Sequence, residues 1–149
     1  MLFKTHFAIV IFFILLLLPN IKSKFIFVIV VLISTQLPDL DSSYSKFGRR
    51  KLARILQIFT KHRGIVHSFT FLLSLTFILI LFLPTLGFGF FLGYGIHLFA
   101  DSFTIEGIRP FYPSKTKSWG RIKTGGKIEI ILFLLFVSLD IFLFFIRFL

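Results

Sequence analysis

Five apolar runs, roughly residues 7–18, 25–37, 65–83, 88–104 and 128–148, occupy most of this 149-residue chain and are separated only by short charged stretches. The chain is 56% hydrophobic, carries 24 Phe and has a mean hydropathy of +0.96, so a water-soluble domain would lack polar surface. A helix crossing a ~30 Å hydrocarbon core needs about 20 residues. The third and fifth runs meet that length and the fourth nearly does. The first two fall short unless they borrow flanking residues or form a re-entrant hairpin turning at Pro19-Asn20. The expected fold is therefore an all-α polytopic membrane bundle of about five apolar helices, with residues 1–149 forming a single membrane-embedded domain.

The first run follows Lys4, as in a secretion signal, but Pro19-Asn20-Ile21-Lys22 lacks the small-residue cleavage pattern, so the segment is expected to be retained. The absence of cysteine excludes disulfides and thiolate ligands.

A formal charge of +11 raises the question of nucleic acid, yet the position of the charge answers it differently. Seven Lys and Arg fall within residues 46–63 and six within 109–127. Whether the first pair of runs spans or re-enters, both of these loops and the N-terminus emerge on one side. That side carries 14 of the 17 basic residues and is cytoplasmic by the positive-inside rule. No nucleic-acid partner is expected; membrane lipids are. In the first basic loop Leu52, Ile55, Leu56 and Phe59 recur at helical spacing among Arg49, Arg50, Lys51 and Arg54. This is the pattern of a basic amphipathic helix in the headgroup layer, or of a cap over the helix ends.

Ionisable groups are costly in lipid, about 2.5–3.5 kcal/mol for Asp at a helix centre. Here they gather at run ends. His6 opens the first run, and Asp39 and Asp41 close the second. His62 and His67 lead into the third, while His97 and Asp101 close the fourth. All seven fall on the cytoplasmic side. Singly, each has an ordinary reading as an interfacial anchor, a turn residue or a helix cap. Together they comprise all four His and half of the six acidic residues, which points to a shared role.

Local spacing suits coordination. His97 and Asp101 are four apart and share a helix face, and Gly89 and Gly93 continue that row backwards, admitting a close neighbouring helix. Asp39 and Asp41 follow Pro38, where an extended turn would direct both carboxylates inward. Gly64 suggests a bend between His62 and His67, with His67 on the helix proper. Imidazole with carboxylate suits a divalent metal, foremost Zn with Mn or Fe as alternatives. Seven candidates exceed one tetrahedral site, so one or two ions are expected. Glu129 reads as a helix N-terminal charge or as support for the cluster, and Asp140 receives no role. No Gly-x-Ser-x-Gly elbow, Walker loop or His-Glu-x-x-His occurs.

Pro38-Asp39-Leu40-Asp41, His62-Arg63-Gly64-Ile65-Val66-His67-Ser68 and Gly93-Tyr94-Gly95-Ile96-His97-Leu98-Phe99-Ala100-Asp101, followed by Pro110, resemble the LexA-binding, inner membrane-associated hydrolase family. His6 matches the histidine that opens its members. The resemblance implies a small multi-helix membrane-bound metal-dependent hydrolase, comparable with zinc-dependent phospholipases. By match, His6, Asp39, Asp41, His62, His67, His97 and Asp101 are the implied metal-binding set. Two positions depart from the pattern: Ser42 stands where members often carry His, and Val66 where Thr is usual.

The resulting expectation is metal-dependent hydrolysis of a phosphate or ester on a lipid-like substrate at the cytoplasmic face of the inner membrane. Asp41 or Asp101 would serve as base or ligand, and Arg63 would steady the anion. The alternative is a metal-binding transporter or sensor without hydrolysis. It calls for polar residues at mid-depth, of which the chain has little beyond Asp140 and a few Ser and Thr. A third class is a structural protein whose polar residues only brace helix ends.

Overall fold

A computed structural model of the protein describes residues 1–41 and 64–148. Among these residues there are five α-helices and no strands: α1 (Phe3–Leu17), α2 (Lys24–Ser34), α3 (Phe69–Phe82), α4 (Pro84–Ser102) and α5 (Lys127–Phe148). Two segments, Phe3–Asn20 and Lys127–Arg147, are long and apolar enough to cross a membrane. At 11 and 14 residues, α2 and α3 are shorter than a ~30 Å core requires. The expected basic amphipathic helix around Leu52 and Phe59 lies outside the described residues.

Local chemistry sets the boundaries. Pro19 lacks a backbone donor, so α1 tightens into the 3-10 turn Leu18–Asn20 before the chain reverses into α2. At the end of α2, Thr35 Oγ1 donates to Val31 O at 2.7 Å, and Pro38 opens a second 3-10 turn, Pro38–Asp41. The third run was expected to be helical from Ile65. Instead Ile65–His67 forms a separate 3-10 turn, and α3 begins only after Ser68, whose side chain caps it by accepting from Phe71 N at 3.2 Å. Hydropathy alone does not register such a cap.

Helix α4 is the centre of the assembly, with α2 and α3 packed along it and α1 lying against α5. One core joins Val10 and Ile14 of α1 to Phe27 and Val31 of α2; another joins Leu72 of α3 to Phe90, Tyr94 and Leu98 of α4 and to Ile108. The glycine row on α4 makes the α2 contact as close as its spacing suggests. A Cβ on Gly89 would meet Val30, and one on Gly93 would overlap Val31 O and Ser34 Oγ. Outward, α5 exposes Ile131, Leu134, Ile141 and Phe142, apolar surface of the kind a bilayer covers.

Beyond α4 the chain folds back on itself. Bridges link Thr104 to Ile122 and Ile108 to Ser118, and Gly107 at φ +58° allows Ser118 O to approach where a Cβ would stand. Pro110 O accepts the otherwise orphaned N–H of Phe69 at 2.8 Å, tying this segment to the start of α3. The N-termini of α1, α3 and α5 and the C-termini of α2 and α4 therefore share one end of the molecule.

Candidate metal centre

Four chain segments deliver ligand-type side chains to that shared end. His6 stands in the first turn of α1. His97 and Asp101 stand one turn apart near the end of α4, as their spacing predicts. Asp39 comes from the Pro38–Asp41 turn and His67 from the Ile65–His67 turn. His67 is thus not on the helix proper, since Ser68 starts the helix after it. The Tyr94 hydroxyl donates to Val66 O at 2.5 Å and fastens that turn to α4. The Asp39 segment is a 3-10 turn rather than the extended one expected, because its proline begins a helical φ.

His97 is the hub. Its ring stacks on His6 with centroids 4.0 Å apart and planes inclined by 10°, and meets the His67 ring edge-on at 5.8 Å. Its Nε2 lies 3.8 Å from both Asp39 Oδ1 and Asp101 Oδ2, while His6 Nε2 lies 3.3 Å from Asp101 Oδ1. Two triads, His6–His97–Asp101 and Asp39–His67–His97, each place three ligand atoms within 4.8 Å of one another. The shared His97 joins them into a cluster of five residues. The three histidines are each 1% exposed and Asp101 is 2% exposed.

The ring nitrogens give the test of whether a metal fits. Among the described residues, both nitrogens of His6 and both of His97 are buried without a properly oriented hydrogen-bond partner, despite the nearby carboxylates. A buried polar atom left so costs about 1–3 kcal/mol. Imidazole nitrogens facing carboxylate oxygens, with no sulfur, make a donor set suited to Zn, Mn or Fe, and three protein ligands leave a coordination position open. The five residues fit such an ion. Burial pushes the Asp39 carboxyl above the usual carboxylate range, an effect opposed by the neighbouring His6.

Of the seven expected ligands, His6, Asp39, His67, His97 and Asp101 come together. The Asp41 side chain, His62 and Arg63 lie outside the described residues. Two further groups take part, Met1 unforeseen and Glu129 as the helix N-terminal charge expected of it. The terminal ammonium of Met1 contacts Asp101 Oδ1. Glu129, 1% exposed at the start of α5, accepts from Leu2 N at 2.5 Å and Gly125 N at 2.6 Å, joining the starts of α1 and α5. Its place in the first turn of an apolar helix was the visible signal; its partner across the fold had none.

Comparison with known proteins agrees with a membrane setting. Residues 1–147 match the family model described as YdjM inner membrane protein. The chain is similar to the uncharacterized protein YvsG of Bacillus subtilis (strain 168), 32% identical over 82 residues, or 52% of this chain and 51% of YvsG. The match thus spans about half of that curated relative. No solved structure matches the chain.

Proposed function

The chain belongs to the YdjM inner membrane protein family, and within that setting we propose that it is a metal-dependent hydrolase acting on a phosphate or ester of a lipid-like substrate at the cytoplasmic face. One observation carries the reading. Buried imidazole nitrogens without hydrogen-bond partners among the described residues converge with carboxylates at one end of an apolar bundle. Membrane proteins keep such costly groups where they serve a site.

His6, His97 and Asp101, with Asp39 and His67 on the other side of His97, would hold one or two divalent ions, Zn foremost. When bound, such an ion brings the pKa of water from ~15.7 towards ~7 and polarises a phosphoryl or ester oxygen. Asp39, 24% exposed at the side chain, would be the ligand nearest the open side of the cluster, where a substrate oxygen could approach. The buried Asp101 sets one oxygen 3.3 Å from His6 Nε2 and the other 3.8 Å from His97 Nε2, so a bound ion would be shared among the three. Arg63 and Asp41, adjoining the cluster in sequence, extend the proposed set as anion partner and ligand. The cytoplasmic assignment is the sequence topology's: the loops it puts on one side with the N-terminus carry 14 of the 17 basic residues.

Elemental analysis of the purified protein in lipid nanodiscs, followed by incubation with phospholipids and prenyl phosphates, tests this reading. Stoichiometric Zn, Mn or Fe and product release that His97→Ala abolishes are expected. Stoichiometric metal with no product from any of these substrates would overturn hydrolysis, and metal-free protein would overturn the centre itself.

A further inference from the structure

Beside the cluster lies a cavity of about 650 Å³ whose lining is almost wholly apolar. It fills the space between α3 on one side and α1 and α5 on the other, and α4 forms its floor. Helix periodicity explains how one helix serves both features. On α4 the row Gly89, Gly93, His97 and Asp101 faces α2 and the cluster, whereas the neighbouring row Phe91, Gly95 and Phe99, continued by the C-cap Phe103, lines the cavity.

We propose that this cavity seats the hydrocarbon chain of an anionic amphiphile whose head lies at the His–Asp cluster, an inference that rests on the hydrolase reading for the identity of the bound molecule as substrate.

Three observations select this occupant. The first is continuity with the site. Met1, which contacts Asp101, lines the cavity, as do Ile96 and Ala100, the residues preceding His97 and Asp101. The second is the direction of the opening. Leu73, Phe91 and Phe99 line the cavity and are still exposed, so its mouth faces the apolar surroundings from which a lipid chain would enter. The third is charge. Ile122, which lines the cavity, lies between Arg121 and Lys123, both exposed and available to an anionic head. The size falls in the range of cavities that enclose a small-molecule ligand. A chain leaving the bilayer gains little from apolar burial, because lipid tails are equally apolar. The seat therefore acts by alignment, holding the head at the cluster.

Gly95 makes the seat testable. A Cβ there would reach Leu72 Cδ2 at 3.4 Å, ordinary contact, while a larger side chain would project into the cavity. The full chain in phosphatidylcholine nanodiscs would be photolabelled with a long-chain alkyl phosphate carrying a diazirine near its chain end, and the adducts mapped. Adducts concentrated at Leu73, Phe91 and Phe99, displaced by unlabelled long-chain alkyl phosphate but not by inorganic phosphate, are expected. Gly95→Phe should lower them at least fivefold with metal content unchanged. The map on the unsubstituted protein decides the matter even if that variant fails to fold. Adducts equally dense on outward Ile141 and Phe142, displacement by inorganic phosphate, or cross-links showing a second copy of the chain in the cavity would overturn the seat. Metal-free protein with labelling still in the cavity would uphold the seat and remove the hydrolase reading; metal and turnover without cavity labelling would do the reverse.

Discussion

His6 and His97, one from the first helix and one from the fourth, stack with ring centroids 4.0 Å apart, and among the described residues none of their four nitrogens has a properly oriented hydrogen-bond partner. Only His97 belongs to both ligand triads. Substituting the two residues should therefore have unequal effects. In His97→Ala, bound metal should fall to less than about a tenth of the parent value, since a lost ligand and its lost orienting contacts act together. His6→Ala leaves Asp39, His67 and His97 in place and should retain a measurable fraction. Elemental analysis of both variants alongside the parent checks the order, and equal losses would show that the triads do not act separately.

Close approach between α2 and α4 makes a prediction about stability rather than chemistry. A methyl on Gly93 would overlap Val31 O, fixed by the helix backbone, and the Ser34 hydroxyl that donates to it, whereas one on Gly95 meets only Leu72 Cδ2 at 3.4 Å. Gly93→Ala should destabilise the protein by about 1–3 kcal/mol, the usual cost of overpacking. Gly95→Ala should be neutral or slightly stabilising, because alanine restricts the unfolded chain. Thermal unfolding in detergent, with the two variants side by side, measures the difference. A similar melting temperature for both would mean that the helices separate to accept the methyl.

The turn carrying His67 is held from two sides, by the Ser68 cap on α3 and by the Tyr94 hydroxyl on Val66 O. Ser68→Ala should cost about 1 kcal/mol through the lost cap. Tyr94→Phe should cost about 0.5–1.5 kcal/mol through the lost hydrogen bond. Because both changes loosen the turn without removing a ligand, each should weaken metal binding more than a neutral substitution such as Gly95→Ala. Metal titration of the three variants resolves this, and undiminished affinity in Tyr94→Phe would show that the turn is held by other contacts.

The sequence conveys the convergence of His6, Asp39, His67, His97 and Asp101 because ionisable groups at the ends of apolar runs carry a cost that only a shared location relieves. The glycine row of α4 is legible for a similar reason: four-residue spacing of small side chains has one geometric meaning. The start of α3 is not legible from hydropathy, since Ile65 and Val66 are as apolar as the helix and the Ser68 cap that starts it is a hydrogen bond. Nor is the apolar cavity beside the cluster, which is a gap between helices distant in sequence rather than a property of any one. The partners of Glu129 are hidden most completely, because a backbone N–H has no residue type to announce it.

That carboxylate supplies the last prediction. Glu129 accepts from Leu2 N and Gly125 N, so one acid neutralises the positive ends of two helix dipoles, α1 and α5, that start side by side. Glu129→Gln keeps the shape but turns one acceptor oxygen into an amide donor facing a backbone donor. Losing a charge-assisted hydrogen bond of this kind costs about 1.5–3 kcal/mol. Because Leu2 is the N-cap of the helix that carries His6 in its first turn, the loss should appear first as motion of that turn. Hydrogen exchange should speed up at the amides of residues 2–6 while those of α4 stay protected. Metal affinity should fall about 10–100-fold, as it does when a group that orients a ligand is removed. Unchanged exchange in that first turn would mean that the Met1 contact with Asp101 holds the N-terminus without Glu129.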